Sequence, residues 1–216
     1  MFPKALILDL DGTLADTEPL HDRAWEGVLH GVPPEALAVE RQKWVGMAST
    51  DIARELIARF HLSQSVEDML REKRRRFRQL VRQGLEPFPG LADELAWWND
   101  VPLAVATSGS RREALLMLET LRLPVDFEAV VTSDDVPLAK PAPDCYLLAA
   151  ELLGKSPWEC VAIEDSTNGM VAAVAAGMRV IGVSAVPAKS LPAGIERVFS
   201  STVEALRWLR DGAGTF

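Results

Sequence analysis

The sequence predicts an α/β protein with a Rossmann-like parallel sheet as its core and a helical domain inserted after the first strand. Short apolar runs of strand length alternate along the chain with longer segments of helical periodicity, the pattern of repeated strand-helix-strand units. Between the first two runs, residues 17–85 instead have a helical pattern almost throughout. Acids and hydroxyls follow directly after several runs, and a lysine lies in a later connection, where parallel sheets place their ligand sites.

Five apolar runs have the length of buried strands. They cover residues 5–8, 101–106, 129–131, 161–163 and 180–183. Helical patterns separate or follow them at residues 91–98, 111–121, 144–153, 168–176 and 203–209. Because strands and helices alternate, we expect the strands to run parallel, with helices on the faces of the sheet.

The insert is predicted to be a four-helix domain. Its amphipathic patterns cover residues 19–29, 49–60 and 66–81. Pro87, Pro89 and Gly90 mark the return to the core, because proline and glycine end one helix and begin another. The expected organisation is an α/β core of residues 1–16 and 86–216, with a helical cap of residues 17–85.

Composition narrows the class of protein. The 216 residues include 23 Lys and Arg against 31 Asp and Glu, which gives a net charge of −8, and 48% are hydrophobic. This content can form a buried core, which excludes a disordered or fibrous chain, and the acidic balance disfavours nucleic acid and anionic membranes as partners. Cys145 and Cys160 lack a metal-binding spacing and are expected to be buried free thiols. With no long apolar segment, a soluble, cytoplasmic protein is expected.

Two acids follow the first predicted strand. Asp9 and Asp11 precede a turn at Gly12, so both carboxylates can reach one cavity if the chain leaves the strand at Leu10. The same residues are also typical of an ordinary turn. A partial calcium loop is a further interpretation, although the third acid and the distal Glu of that motif are missing. This segment alone therefore leaves its function open.

Two later strand ends carry groups that suit an anion. Ser108 and Gly109 precede a helix whose free amides and dipole favour negative charge, while Ser110 is the expected N-cap. Lys140 stands directly before Pro141, which predicts a rigid extended segment. These groups are donors that can meet phosphate oxygens.

A second pair of acids follows the fourth predicted strand. Glu164 and Asp165 would repel Asp9 and Asp11 unless a cation neutralised them. Clustered carboxylates, a lysine, a hydroxyl and free amides together are the inventory of a Mg²⁺-dependent phosphoryl site. The sequence contains no Walker glycine loop, so nucleoside triphosphate chemistry of that kind is not indicated.

Four segments, in this order, resemble the four motifs of the haloacid dehalogenase superfamily. They are DLDGT at residues 9–13, TSG at 107–109, KP at 140–141 and IEDSTNG at 163–169. The resemblance spans the chain and implies that family's capped Rossmann-like fold. The helical insert resembles the four-helix cap of the branch that contains β-phosphoglucomutase and many sugar-phosphate phosphatases.

The resemblance also implies roles for the acids. Asp9 would be the nucleophile that forms an aspartyl-phosphate, and Asp11 would be the general acid and then the general base. Mg²⁺ would be held by Asp9, by the backbone carbonyl of Asp11 and by Asp165. Glu164 would be a direct ligand or would act through one.

Other groups would hold the phosphoryl oxygens. By the same resemblance these are Ser108, the Gly109 amide and Lys140, which offset charge during in-line displacement, with backbone amides of Leu10 and Gly12. The expected partner is a small phosphorylated metabolite, and the expected oligomeric state is a monomer.

Four cap residues match substrate-facing positions of this branch: His21, Gly46, Ser49 and Lys73. Lys73 falls on the apolar stripe of the third helical pattern, whereas His21 has the alternative role of a structural interface residue. Ser49 stands where the mutases of this branch carry a phosphate-binding Arg. Without a guanidinium, the distal phosphate of a bisphosphate loses its bidentate partner, which favours hydrolysis.

The sequence therefore predicts a Mg²⁺-dependent phosphatase of small monoesters, sugar phosphates in the first place. A hexose phosphomutase is the alternative among enzymes, because Lys73 and His21 are retained. Outside enzymes, the alternatives are a receiver-like phospho-accepting module and a family member that only binds a partner. The helical insert and the place of Asp9 after the first strand argue against a receiver, and the intact motifs argue against a degraded member.

Overall fold

The computed structural model describes residues 2–29, 32–33, 36, 49–183 and 192–212. The chain divides into two compact units. The first comprises residues 1–16 and 85–216, and the second comprises residues 17–84.

The first unit is built on a parallel sheet, as predicted. Its six strands are β1 (Ala5–Leu8), β2 (Leu103–Ala106), β3 (Ala129–Val131), β4 (Cys160–Glu164), β5 (Arg179–Val183) and β6 (Ile195–Phe199). The order is β3-β2-β1-β4-β5-β6, and every neighbouring pair is parallel. The chain crosses over β1 between β3 and β4, so the strand order reverses there, and ligands bind outside the carboxyl ends of strands at such a point.

Helices follow most of the strands. Those of the described residues are α1 (Glu18–Val28), α2 (Ser49–Phe60), α3 (Val66–Gly84), α4 (Leu91–Leu95), α5 (Arg111–Leu121), α6 (Asp144–Leu152), α7 (Thr167–Ala175) and α8 (Thr202–Arg210), with 3₁₀ turns at Ala96–Trp98 and Pro157–Glu159. Serine side chains cap α5, α7 and α8 by accepting a hydrogen bond from a first-turn amide. No helix of the described ranges is long and apolar enough to cross a membrane.

The core of the first unit uses small side chains to bring helices close to the sheet. Ala149 of α6 and Ala173 of α7 are fully buried in one cluster with Ala162 of β4. Tyr146 is completely buried in the same cluster. Cys145 and Cys160 are buried and free, as predicted.

The second unit has its own small core, formed by the described helices α1, α2 and α3. Trp25, Leu56 and Met69, one from each helix, share a buried cluster. The apolar stripe predicted along α3 points inward, since Phe77 and Val81 are also buried. The described part of the insert holds these three helices. It omits most of residues 30–48, so the fourth predicted helix is not among the described elements.

Strand β6 was not predicted. Glu196 and Arg197 are exposed within it, so it lacks the apolar run by which the other strands were found, and it lies at the edge of the sheet. Strand β4 is longer than predicted because it includes Cys160 and Glu164, both of which are buried. The predicted helix over 91–98 divides into α4 and a 3₁₀ turn.

Candidate active site

Asp9 follows the central strand of the first unit. Its amide donates to the carbonyl of Ile163 at 3.0 Å, which continues the pairing of β1 with β4. The side chain therefore emerges at the carboxyl end of the sheet, and Asp9 is only 5% exposed. The order of the strands, not the local sequence, places this carboxylate next to the end of β4.

The ammonium of Lys140 contacts residues at the ends of three strands. Its Nζ donates to Asp9 Oδ1 at 2.6 Å, to the Ala106 carbonyl at 2.9 Å and to Glu164 Oε1 at 3.2 Å. The ring of Tyr146 lies below the ammonium, with its centroid 4.9 Å away. The side chain is 3% exposed, so the ammonium has exchanged water for carboxylates, a carbonyl and an aromatic face.

Lys140 lies in a turn and not in the extended segment that the sequence predicts. The turn is closed by a 3.0 Å hydrogen bond from the Ala142 amide to the Ala139 carbonyl. The Lys140–Pro141 peptide bond within it is cis.

The buried groups shift one another's pKa values. Burial raises the pKa of Asp9 well above its usual range, and Glu164 and Asp11 raise it further, against the lowering effect of Lys140. Burial acts to lower the pKa of Lys140, but Asp9, Tyr146 and Glu164 outweigh it and hold that pKa well above its ordinary value. Lys140 therefore stays charged. The buried acids repel one another, which disfavours their ionised forms.

Three carboxylates form a cluster that fits a divalent cation. Asp9, Glu164 and Asp165 each offer an oxygen, and these oxygens lie within 4.8 Å of one another. Burial, with a further contribution from Asp9, raises the pKa of Asp165 to about 7. Hard oxygen ligands and unfavourable mutual repulsion are the conditions under which a bound cation stabilises such a group. Asp11, the fourth predicted metal residue, is predicted to bind through its backbone carbonyl, and its carboxylate is not part of this cluster.

Two glycines leave the space that the carboxylates of the cluster occupy. A Cβ atom on Gly12, whose φ is +75°, would lie 2.1 Å from Asp165 Oδ2. A Cβ on Gly169 would lie 2.0 Å from the carboxylate atoms of Glu164. Neither position tolerates a side chain without moving the acid, so these glycines fix where the carboxylates stand.

The loop after β2 holds the predicted phosphate-binding residues. The amide of Gly109 donates to Thr107 Oγ1 at 3.0 Å, and the amide of Arg111 donates to Asp134 Oδ2 at 2.8 Å. These two amides, which the sequence predicts to be free, thus have partners within the chain. Ser108 is exposed, and Ser110 is the N-cap as predicted. Sequence reasoning missed the role of Thr107, although a hydroxyl two residues before a glycine is a known turn signal.

Asp11 lies beside this loop. A Cβ atom on Gly109 would stand 3.9 Å from Asp11 Oδ2. The second acid of the first motif therefore faces the phosphate-binding loop, while the first acid faces Lys140 and the carboxylate cluster.

The second unit brings two of the predicted cap residues together. Lys73 Nζ lies 2.8 Å from His21 Nδ1. The His21 ring stacks on Phe77, with centroids 4.1 Å apart and planes 4° from parallel. Lys73 is 7% exposed and lies 5.3 Å from the Phe77 ring centre and 5.6 Å from that of Trp25. Ser49 is the exposed first residue of α2, and Gly46 is outside the described residues.

A family model for haloacid dehalogenase-like hydrolases matches residues 3–177, which include all four motif segments. The chain belongs to the haloacid dehalogenase-like hydrolase family. The predicted membership and the prediction of an enzyme are confirmed.

Curated relatives of this hydrolase include phosphatases and a mutase. A fructose-1-phosphate phosphatase of Escherichia coli is 36% identical over 181 residues, which cover 82% of this chain and 95% of that protein. A phosphorylated carbohydrates phosphatase of Thermotoga maritima is 33% identical, with coverage of 83% and 85%. The β-phosphoglucomutase of Bacillus subtilis is 31% identical, with 83% of each chain covered.

A solved structure shows the same likeness. The crystal structure of a putative β-phosphoglucomutase from Thermotoga maritima has a TM-score of 0.79 and 28% identity, and the match covers 96% of this chain and 99% of that one. The predicted branch of the family and the predicted α/β core are therefore confirmed.

Proposed function

We propose that this hydrolase is a Mg²⁺-dependent phosphatase that acts on small phosphate monoesters, chiefly sugar phosphates, through an aspartyl-phosphate on Asp9. The observation that carries the proposal is the 2.6 Å contact between Asp9 Oδ1 and Lys140 Nζ, within a buried carboxylate cluster at the carboxyl ends of β1 and β4. The named phosphatases among the relatives support the choice of substrate class.

Asp9 is the nucleophile in this proposal. Lys140 fixes one carboxylate oxygen, so the other is presented to phosphorus in a constant direction. A bond forms between the Asp9 oxygen and phosphorus while the bond from phosphorus to the alcohol oxygen breaks, and Asp11 gives its proton to that oxygen. Asp11 then takes a proton from water, whose oxygen displaces Asp9 from phosphorus and releases inorganic phosphate.

A cation completes the charge balance. Asp9, Glu164, Asp165 and the backbone carbonyl of Asp11 would hold Mg²⁺, which when bound supplies positive charge to the phosphoryl oxygens. Burial also raises the pKa of Glu164. The chain thus builds a site where ionised carboxylates are costly by themselves and favourable beside a divalent ion.

Ser108, Lys140 and the Gly109 amide bind the transferring phosphoryl group in this proposal. The amide then exchanges its bond to Thr107 Oγ1 for one to a phosphoryl oxygen. Gly109 lies beside Asp11, as the geometry of its absent Cβ indicates. The phosphate oxygens and the alcohol oxygen that Asp11 protonates are then bound within one small region, as in-line displacement requires.

The cap residues set the choice of substrate in this proposal. Lys73, held by His21 and the Phe77 ring, offers an ammonium to the hydroxyls or charge of the sugar. Ser49 lacks the guanidinium that retains a second phosphate, so release of inorganic phosphate is favoured over transfer back to the sugar.

The test is a screen of phosphate monoesters with Mg²⁺, ranked by kcat/KM, for the wild type and for Asp9→Asn. We expect the variant to lose turnover by on the order of 10⁴-fold or more, as removal of a nucleophile does elsewhere. Asp126→Asn, a change at an exposed acid, is the control and should retain activity. Unchanged turnover of Asp9→Asn would exclude the mechanism.

A hexose phosphomutase is the second candidate function. It is favoured by the β-phosphoglucomutase relative and by the paired Lys73 and His21. β-Glucose 1-phosphate and glucose 6-phosphate should be offered separately, with phosphate release and isomerisation measured in the same reaction. Isomerisation that exceeds phosphate release would establish the mutase instead.

A further inference from the structure

The loop between β3 and α6 makes repeated contacts with the proposed phosphate-binding loop. Its first residues, 132–135, belong to none of the four motif segments. The amide and the hydroxyl of Ser133 both donate to the carbonyl of Gly109, at 3.2 Å and 3.0 Å. A side chain outside the motifs thus holds the backbone of a residue within one.

Gly109 is bound on both of its backbone groups. Its amide donates to Thr107 Oγ1 at 3.0 Å, and its carbonyl accepts the two bonds from Ser133. Glycine has no Cβ to restrict its dihedral angles. The orientation of this residue therefore has to come from hydrogen bonds, and Ser133 supplies those on the carbonyl side.

Asp135 fixes the loop that carries Ser133. Its Oδ2 accepts from the Thr132 amide at 2.8 Å and from the Thr132 hydroxyl at 2.6 Å. Arg111 is the first residue of α5, and two of its guanidinium nitrogens contact the same carboxylate. Nε lies 3.1 Å from Asp135 Oδ1, and Nη2 lies 2.7 Å from Asp135 Oδ2. Burial acts to raise the pKa of Asp135, but the bonds from Arg111 and Thr132 outweigh it and lower that pKa below its usual range.

Arg111 also ties this carboxylate to the start of α5. Its guanidinium donates to the Val130 carbonyl at 3.1 Å, and its amide donates to Asp134 at 2.8 Å. A bidentate pair between Arg and a carboxylate fixes orientation as well as distance. The end of β3 and the first turn of α5 are therefore held together on the far side of the phosphate-binding loop.

We propose that Ser133 and Asp135 are positioning residues that hold Gly109, through its carbonyl, in its place beside Asp11 in the phosphate-binding loop. This proposal rests on the proposed function of Ser108 and Gly109. Because a Cβ on Gly109 would stand 3.9 Å from Asp11 Oδ2, a shift of this peptide changes the place of the phosphate relative to the general acid. The two residues act through Gly109 and do not themselves touch the substrate.

The first experiment measures how firmly Gly109 is held in the loop, because its amide exchanges only when this segment opens, and it needs no turnover. Hydrogen exchange of the Gly109 amide is followed by NMR in the wild type, Ser133→Ala and Asp135→Asn. We expect exchange about fivefold faster in each variant, the factor that corresponds to the loss of one ordinary hydrogen bond. Ser133→Thr keeps the hydroxyl and should exchange like the wild type.

Two control variants lose the same kinds of contact elsewhere in the first unit. Ser200→Ala removes a hydroxyl that donates to Glu204 at 2.7 Å, and Glu196→Gln removes a carboxylate that pairs with Arg179 at 2.9 Å. Neither should change exchange at Gly109. Equal exchange in the wild type, Ser133→Ala and Asp135→Asn would overturn the proposal.

The second experiment measures phosphate binding. Inorganic phosphate is used as a competitive inhibitor of p-nitrophenyl phosphate hydrolysis in the presence of Mg²⁺. We expect the inhibition constant to rise about fivefold in Ser133→Ala and about tenfold in Asp135→Asn, with the half-saturating Mg²⁺ concentration unchanged, because the carboxylate cluster lies at other strand ends. A purely structural role would lower Tm and leave the inhibition constant as it is.

Failure of the proposed function and failure of the positioning role give different results. A wild-type protein that hydrolyses no phosphate monoester overturns the proposed function, and the exchange experiment then still decides whether Ser133 and Asp135 hold Gly109. A wild-type protein that hydrolyses p-nitrophenyl phosphate while both variants keep its inhibition constant overturns the positioning role alone.

Discussion

Two buried lysines, one in each unit, differ in the contacts described for them. Lys140 in the α/β unit is surrounded by Asp9, Glu164 and a carbonyl. Lys73 in the helical unit contacts the His21 imidazole and lies near two aromatic rings. Two carboxylates contact the first ammonium, whereas the contacts of the second include a ring nitrogen and two π faces.

The difference shows what each lysine is suited to do. A lysine tied to two acids balances a charge cluster, so its loss leaves carboxylates buried without compensation. A lysine held by rings and an imidazole is fixed in position by weaker contacts, which cost less to break. Removing each lysine in turn should therefore give very different losses of stability, with Lys140 also required for turnover.

The largest effect is expected for Lys140→Met. With EDTA present at pH 8, the free energy of unfolding should fall by about 3 kcal/mol, because breaking a buried ion pair strands its partner, and phosphatase turnover should be lost. Chemical denaturation measures the first and steady-state kinetics the second. Lys4→Met, which breaks an ion pair with Glu159 whose lysine is 63% exposed, should cost less than about 1 kcal/mol. If the two variants are equally stable, the charge-balancing role of Lys140 is wrong.

The next largest effect is expected for Gly12→Ala, which tests the carboxylate cluster of the α/β unit. The added Cβ would lie 2.1 Å from Asp165 Oδ2, so the carboxylate must move. We expect Mg²⁺ affinity and turnover to fall by about tenfold to a hundredfold, the range seen when a metal ligand loses its support. Metal titration of activity provides the measurement.

Gly177→Ala is the matched control for this change. Gly177 has a φ of +80°, close to that of Gly12, but no atom lies within 4 Å of its added Cβ. Both alanines carry the same left-handed backbone strain of about 1 kcal/mol. A loss of Mg²⁺ affinity in both variants would assign the effect to backbone strain and not to displacement of Asp165.

A smaller effect, visible only as a function of pH, is expected for Asp165→Asn in the metal-free protein. Burial and Asp9 raise the folded pKa of Asp165 to about 7, above the value of about 4 in an unfolded chain. The stability that this group contributes is therefore complete below about pH 4 and is lost as pH rises through 7.

Between pH 5 and pH 8, the Tm of the wild type in EDTA should fall more than that of Asp165→Asn, because asparagine cannot ionise. Thermal unfolding across this range gives the comparison. Saturating Mg²⁺ should reduce the pH dependence of the wild type, since the cation favours the ionised carboxylate. Parallel curves in EDTA would show that Asp165 is not the group responsible.

A loss of stability smaller than that of Lys140→Met is expected for Lys73→Met. Loss of the contact with His21 and of the ring contacts should cost about 1 to 2 kcal/mol. Under the proposed function, KM for a sugar phosphate should rise about tenfold while Mg²⁺ affinity stays the same. Arg74→Met, at an exposed position on the same helix, is the control. Equal KM values for Lys73→Met and Arg74→Met would show that Lys73 does not bind the substrate.

The local pattern was sufficient to predict most elements and the motif residues. Buried strands such as β1 and β2 consist entirely of apolar residues, so a short sequence window identifies them. Strand β6 is not predicted, because Glu196 and Arg197 are exposed at the edge of the sheet, where burial no longer imposes an apolar pattern. The contacts of Lys140 could not be predicted locally, because the carboxylates that its ammonium binds are distant in sequence.

The sequence by itself determined that acids, hydroxyls and a lysine stand at strand ends, since the periodicity of each element depends only on neighbouring residues. Only the tertiary structure decided which of them meet. Asp9 and Lys140 are 131 residues apart and touch because β1 lies between β2 and β4. The placement of Gly109 by Ser133 is of the same kind. Such contacts depend on strand order and on the packing of loops, and no local periodicity encodes either.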